Sequence, residues 1–251
     1  MNLVFQKEIQ GKFNVFSVDE LGNIYVLTSG GQIKKYNSAL DSIAVFNEVK
    51  RYGQLHSIHC ENPLRTVLFF KNFNTIVLLD RMMQTIQKID LRKSNLFQVS
   101  AVTSSYDNRL WIFDQQNSKI KKINFDGSVA FESTDLRMAF DESIHPIKMI
   151  EHQGALYLLD SLTGVYVFDY YGGFKKKLLY PHTIDIESWG DALLGIGKDS
   201  IWLKNEKEAD VSWIGLPQQL IDIRQLYFNY KIAYSLTDQK ISLYSFGFNR
   251  R

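Results

Sequence analysis

The chain is expected to be all-β, a six-bladed β-propeller of four-stranded antiparallel blades, and three observations predict this. Apolar residues alternate or fall in short runs such as Val67–Phe70 and Ile76–Leu79, the length and period of strands and not of helices. Aromatic residues make up 14% of the 251 residues, with 13 Tyr and 17 Phe, a bias toward strands. A strand–turn–strand unit also recurs six times along the chain.

The first unit sets the pattern. Val15–Val18 reads as an inner strand, Gly22-Asn23 as a turn, Ile24–Thr28 as a second strand, Gln32–Asn37 as a third and Ser42–Phe46 as a fourth. The hairpin of second and third strands returns as Thr66–Phe70 with Thr75–Asp80, then as Leu110–Asp114 with Lys119–Asn124. Leu156–Asp160 with Gly164–Asp169, Ala192–Ile196 with Ser200–Leu203, and Ile232–Leu236 with Lys240–Tyr244 complete the series. Between the first apolar residues of paired strands the spacing is nearly constant: 24 to 33, 67 to 76, 110 to 120, 156 to 165, 192 to 201 and 232 to 241. A β-sandwich would explain the strands but not this recurrence, whose period of about 40 residues is that of a propeller blade.

Closure and the blade joints follow from what is left over. After Tyr244-Ser245-Phe246 too little chain remains for an outer strand, so Leu3–Ile9 is expected to complete the sixth blade and close one domain spanning 1–251. Pro146, Pro181 and Pro217 fall just before inner strands, where no ladder N–H is needed. The remaining inner strands are placed at Ser57–Cys60, Ala101–Ser104, Ile147–Ile150, Ile184–Glu187 and Ile221–Gln225.

Composition excludes several functions. A net charge of +2, from 29 Lys and Arg against 27 Asp and Glu, leaves no electrostatic footprint for nucleic acid. No apolar run approaches the roughly 20 residues of a membrane helix, so direct membrane insertion is not expected. One cysteine, Cys60, precludes an intrachain disulfide and any multi-thiolate metal site. The start at Met1-Asn2-Leu3 fits a cytoplasmic protein and equally an exported one whose leader is gone; a periplasmic or cell-envelope location is the expectation carried forward.

The stretch Leu110–Asp114, Asn117, Lys119-Ile120 and Asp126-Gly127 pairs an apolar strand ending in Asp with an Asn, a basic residue before Ile, and an Asp-Gly turn. Leu156–Asp160 and Val167-Phe168-Asp169 repeat part of it. In these features the chain resembles six-bladed propellers of the NHL and YWTD type, in the broad TolB-like group. That resemblance implies a binding module or, in a minority of such proteins, an enzyme. Blade one lacks the Asn and blade five is short, and no WD dipeptide or Gly-His pair points to a WD40-like chain.

Alternation along the inner strands nominates Ser17, His59, Thr103, Lys148, Asp185 and Arg224 as channel-facing. Lys148, Asp185 and Arg224, on consecutive blades, would grip an anionic or zwitterionic ligand or else neutralise one another in a water-filled channel. Asp185, Glu187 and Asp222, joined by Glu151, are the carboxylates that would hold a divalent cation in a metal-assisted hydrolase or lactonase. His56 and His59 are expected on opposite faces of their strand, and Cys60 in an apolar layer. No Gly-x-Ser-x-Gly elbow is present, and Gly30-Gly31 and Gly172-Gly173 read as hairpin turns, not phosphate loops, so no cofactor is expected. Lys175-Lys176-Lys177 reads as a charged outer strand, and Tyr170-Tyr171, Trp189, Trp202 and Trp213 as packing or turn aromatics.

The longest joints, 133–143 and 205–219, are candidate contact loops. In the first, Leu136, Met138 and Phe140 stand among charges and are expected to be exposed to a partner. The expected function is a non-enzymatic binding or scaffold propeller that engages a protein, peptide or glycan through one face and the channel mouth.

Overall fold

The computed structural model describes residues 1–140, 143–180, 182–205, 210–220 and 223–247. The chain opens with β1 (Asn2–Gln10). Blade 1 is β2 (Phe13–Val18), β3 (Ile24–Thr28), β4 (Ile33–Tyr36) and β5 (Ser42–Phe46). Blade 2 is β6 (Ser57–His59), β7 (Arg65–Phe70), β8 (Thr75–Asp80) and β9 (Thr85–Asp90). Blade 3 is β10 (Val99–Ser104), β11 (Leu110–Asp114), β12 (Lys119–Ile123) and β13 (Val129–Glu132), followed by the short helix α1 (Arg137–Phe140). Blade 4 is β14 (Lys148–His152), β15 (Ala155–Asp160), β16 (Gly164–Asp169) and β17 (Phe174–Leu178). Blade 5 is β18 (Thr183–Trp189), β19 (Ala192–Gly197), β20 (Ser200–Asn205) and β21 (Ser212–Gly215). Blade 6 is β22 (Gln225–Asn229), β23 (Ile232–Leu236) and β24 (Lys240–Gly247), and β1 supplies its outer strand.

Each sheet is antiparallel and the six hairpins of second and third strands pair as the spacing predicts, for example Leu27 opposite Ile33 and Phe69 opposite Ile76. The ring closes as expected: β1 runs antiparallel to β24 from Asn2↔Gly247 to Gln10↔Lys240, and β22 lies beside β2. The core lies between blades. Six apolar clusters each join one blade to the next, and the last joins blade 6 to blade 1 through Phe16, Ile24, Tyr234 and Leu243. A second strand is therefore buried on both faces, which is why β7 and β15 read as unbroken apolar runs.

Two expectations are corrected. Among the described residues the sixth inner strand runs Gln225–Asn229 and takes only Gln225 from the expected Ile221–Gln225, because the hairpin must bring Asn229 opposite Ile232 across a turn in which Tyr230 takes a φ of 49°. The joint 205–219 is not a free loop, since β21 lies within it and pairs with β20 as the outer strand of blade 5.

Candidate functional site: the central channel

The inner strands begin at one face of the ring, here the upper mouth, and end at the other. The upper cavity, about 310 Å³, is lined from all six blades and includes Ser17, His59, Lys148, Asp185 and Arg224. A lower cavity of about 390 Å³ contains Thr103 and four carboxylates, Glu20, Glu61, Glu151 and Glu187. Glu61, Ile150, Glu187 and Tyr227 line both and form the waist between them.

The upper cavity is organised by one cation. Lys148 is the first residue of β14, and its Nζ lies 2.8 Å from Asp185 Oδ1 and 2.5 Å from Glu187 Oε1 on the neighbouring β18. Asp185 and Glu187 share a face of β18 because they are two residues apart on a strand. Burial works against the charge on Lys148, but the two carboxylates outweigh it and hold the ammonium above its usual pKa. Glu187 itself is pushed up to about 7 by burial, with Lys148 opposing and Asp185 and Glu61 adding to the rise. Burial also raises the Tyr227 phenol, further aided by the Glu187 charge. Across the waist burial favours a neutral Glu61, yet hydrogen bonding to His59 and Ser104 keeps its carboxyl below the ordinary value.

The histidines sit differently from the strand argument. His59 Nε2 lies 2.8 Å from Ser57 Oγ and its Nδ1 3.6 Å from Glu61. His56, expected on the opposite face, lines the same cavity, because it precedes β6 and is not part of its alternation. Burial first, then the charges of Lys71 and His59, push the His56 imidazole below its usual value. Cys60 is buried among apolar side chains as expected, its thiol 3.2 Å from Ser17 Oγ and pushed up by burial, so it stays protonated.

Other predicted residues are placed elsewhere or engaged otherwise. Arg224 lines the upper cavity with Lys148 and Asp185 and also reaches the neighbouring blade. It precedes β22, donates to the Phe13 and Asn14 carbonyls of blade 1, and so ties the closing blades together. Glu151 lines the lower cavity and is held by its partners, accepting from Ser105 Oγ, Tyr106 N and Trp111 Nε1. Asp222 lies outside the described residues. Among those described, no group of three His, Cys, Asp or Glu side chains is arranged to hold a metal ion, and a lysine sits between Asp185 and Glu187. In the joint leading into blade 4, Met138 is 84% exposed, but Leu136 is only 3% exposed and Phe140 packs on Tyr166 and Phe174. The correction for Leu136 has a plain cause: its N–H donates to the Ser118 carbonyl, which turns the side chain into the core between blades 3 and 4.

Sequence reasoning missed Glu61 and Tyr227 at the waist. Glu61 lies beyond the end of β6 and Tyr227 in the part of β22 that the misplaced strand left out, so alternation carried no signal for either. It also missed Ile147 and Ile184, 47% and 55% exposed, which rim the upper mouth.

In fold, the chain is similar to virginiamycin B lyase. With that protein from Staphylococcus aureus, solved as a catalytically inactive variant with quinupristin, it shares a TM-score of 0.70 and 11% identity over 98% of this chain and 100% of the other. The Pan2 WD40 domain of Neurospora crassa matches with a TM-score of 0.61 and 9% identity, covering 99% and 97%. BamB from Moraxella catarrhalis matches with a TM-score of 0.50 and 12% identity, covering 89% and 70%. No protein-family model and no curated protein sequence matches the chain. At such identities the likeness is one of fold, and a fold shared by a lyase and a WD40 domain leaves function to the site.

Proposed function

We propose that this propeller is a non-enzymatic binding module whose upper mouth engages a protein or peptide partner. The observation that carries the reading is the self-neutralised cavity: Lys148 is held by Asp185 and Glu187, so its charges are committed to one another. Around it the rim offers half-exposed Ile147 and Ile184, with Met138 on the same side of the ring. Apolar groups surrounding a satisfied polar centre suit a partner that covers the mouth. A glycan is the less favoured occupant. The NHL- or YWTD-like grouping and a cell-envelope location belong to the same proposal, the first supported by the Asp-ended strands and the second to be tested by fractionation.

The second reading, a metal-assisted hydrolase or lactonase, has one feature in its favour, the facing pair Asp185 and Glu187. Lys148 already supplies their cation, so metal would have to displace it.

Photo-cross-linking in cells separates the two. A cross-linker at Ile147 or Met138 should capture one defined protein, the same from both positions, and Ile184→Asp should abolish capture. A cross-linker at Leu21, on the lower side, should not capture it. Absence of any common partner, together with saturable divalent-cation uptake lost in Glu187→Gln, would favour the hydrolase.

A further inference from the structure

Beside the channel, sharing only Ile147 with its upper cavity, lies a separate cavity of about 470 Å³ formed by blades 2, 3 and 4. Its size falls within the range of small-ligand sites. Its chemistry is one-sided. The lining offers the Lys71 ammonium, the His145 ring and a set of side-chain amides, and no Asp or Glu among the described residues. Phe97, half exposed, and Pro146 and Ile147 give it an apolar wall.

One buried group in this lining has no partner. Ser100 is 6% exposed and its Oγ makes no hydrogen bond. Ser100 occupies the irregularity in the β10–β11 ladder, between Val99↔Asp114 and Ala101↔Phe113, so an extra residue re-aims its side chain out of the regular alternation. A buried hydroxyl without a partner is unfavourable, and this one lies closed off inside the cavity wall.

The walls around it are pinned. Asn74 accepts from Val99 N at 3.2 Å and donates from Nδ2 to the Phe97 carbonyl, which fixes the segment that carries Phe97. Gln115 donates from Nε2 to the Ile144 carbonyl at 3.1 Å and to His145 Nδ1 at 3.0 Å. With Nδ1 accepting, a neutral His145 ring carries its proton on Nε2 and remains a donor. The nearby Asp160 carboxylate is turned to the backbone, accepting from His145 N, Leu162 N and Thr163 N. Lys71 and His145 thus present donors to one space, with Ser100 in its wall and an apolar wall beside them.

We propose that this cavity binds a carboxylate attached to an apolar body, the chemistry of a peptide C-terminus or of a free N-acylated hydrophobic amino acid. The carboxylate meets Lys71 and the His145 ring, and the apolar body packs on Phe97 and Ile147. The site deepens the binding reading only in sharing the upper face, and Ile184→Asp should leave it intact while breaking the partner contact.

The test is a chemical-shift titration of the full chain with N-acetylphenylalanine and, separately, its amide. The acid should perturb Phe97, Ser100 and Gln115 and bind about tenfold more tightly than the amide, the order of a charge-assisted contact. Lys71→Gln, at an exposed position that tolerates change, should weaken the acid about tenfold and leave the amide unaltered. Equal binding of acid and amide, no effect of Lys71→Gln, or displacement by inorganic phosphate at lower concentration than the acid would each overturn the assignment. A short peptide ending in phenylalanine identifies the source. Tighter binding than the single residue, with new shifts at Ile147, assigns a peptide terminus, and no gain assigns the free acid.

Discussion

At the scale of single residues, the central question is how carboxylates survive inside a channel. Glu187 is surrounded by protein and by two other carboxylates, so burial favours its neutral form even with Lys148 at 2.5 Å. Its folded pKa of about 7 stands above the ordinary value of 4.5, so the native state retains a proton that the unfolded chain releases. This group's contribution to stability is therefore complete below about pH 4.5 and is lost as pH rises toward about 7. Lys148, held above its usual value, keeps its charge throughout that window. Glu187→Gln removes the titration, so the stability of the variant relative to the parent should rise with pH between those limits. Urea midpoints measured across the window check this, and a flat difference would sink it. Lys148 and Asp185 were legible in the sequence as neighbours on adjacent blades. Their bond with Glu187 was not, because it depends on how closely β14 and β18 approach.

Among elements, the repeated Asp that ends so many strands has a local cause. Asp19 accepts from Leu21 N and Asn23 N, Asp80 from Met82 N and Gln84 N, and Asp169 from Tyr171 N and Gly173 N. Such side chains cap the turn that follows, and this is why the motif was visible at short range. Gly195 has the opposite character. It reads as an unexplained gap in an apolar strand until β19 is laid against β20, where Trp202 faces it. A Cβ at Gly195 would sit 1.8 Å from the indole, and that ring is buried with its Nε1 donating to Thr183 Oγ1 at 2.8 Å. Gly195→Ala should therefore destabilise the protein by about 1–3 kcal/mol, the cost of overpacking a filled core. Urea unfolding followed by tryptophan fluorescence reads it, and unchanged stability would mean that the indole has room to move. The misplaced sixth inner strand belongs to this scale too, since the turn at Tyr230 set the register and apolar content alone could not.

For the whole molecule, closure is the decisive feature. The ring is joined by residues more than two hundred positions apart, with Leu3 opposite Phe246 and both buried. Deleting residues 1–9 would expose the edge of β24 and part of the core between blades 5 and 6. The truncated chain should melt about 6–12 °C below the intact one, the shift for a loss of roughly 3 kcal/mol in a domain of this size. If calorimetry finds the same melting temperature, β1 is not the closing strand that the architecture makes it.

The sequence by itself determined the blade count, the hairpins and the closing strand, because each follows from a period of two within a strand and about forty between blades. Those patterns are properties of neighbouring residues and survive without tertiary information. The tertiary structure alone decided which groups meet: Glu61 with His59, Lys148 with Asp185 and Glu187, Leu136 turned inward, Arg224 bonded to blade 1, and Lys71 with His145 around one cavity. Such meetings bring together side chains from separate blades, and their geometry is set by the packing of blade against blade, which no local pattern encodes.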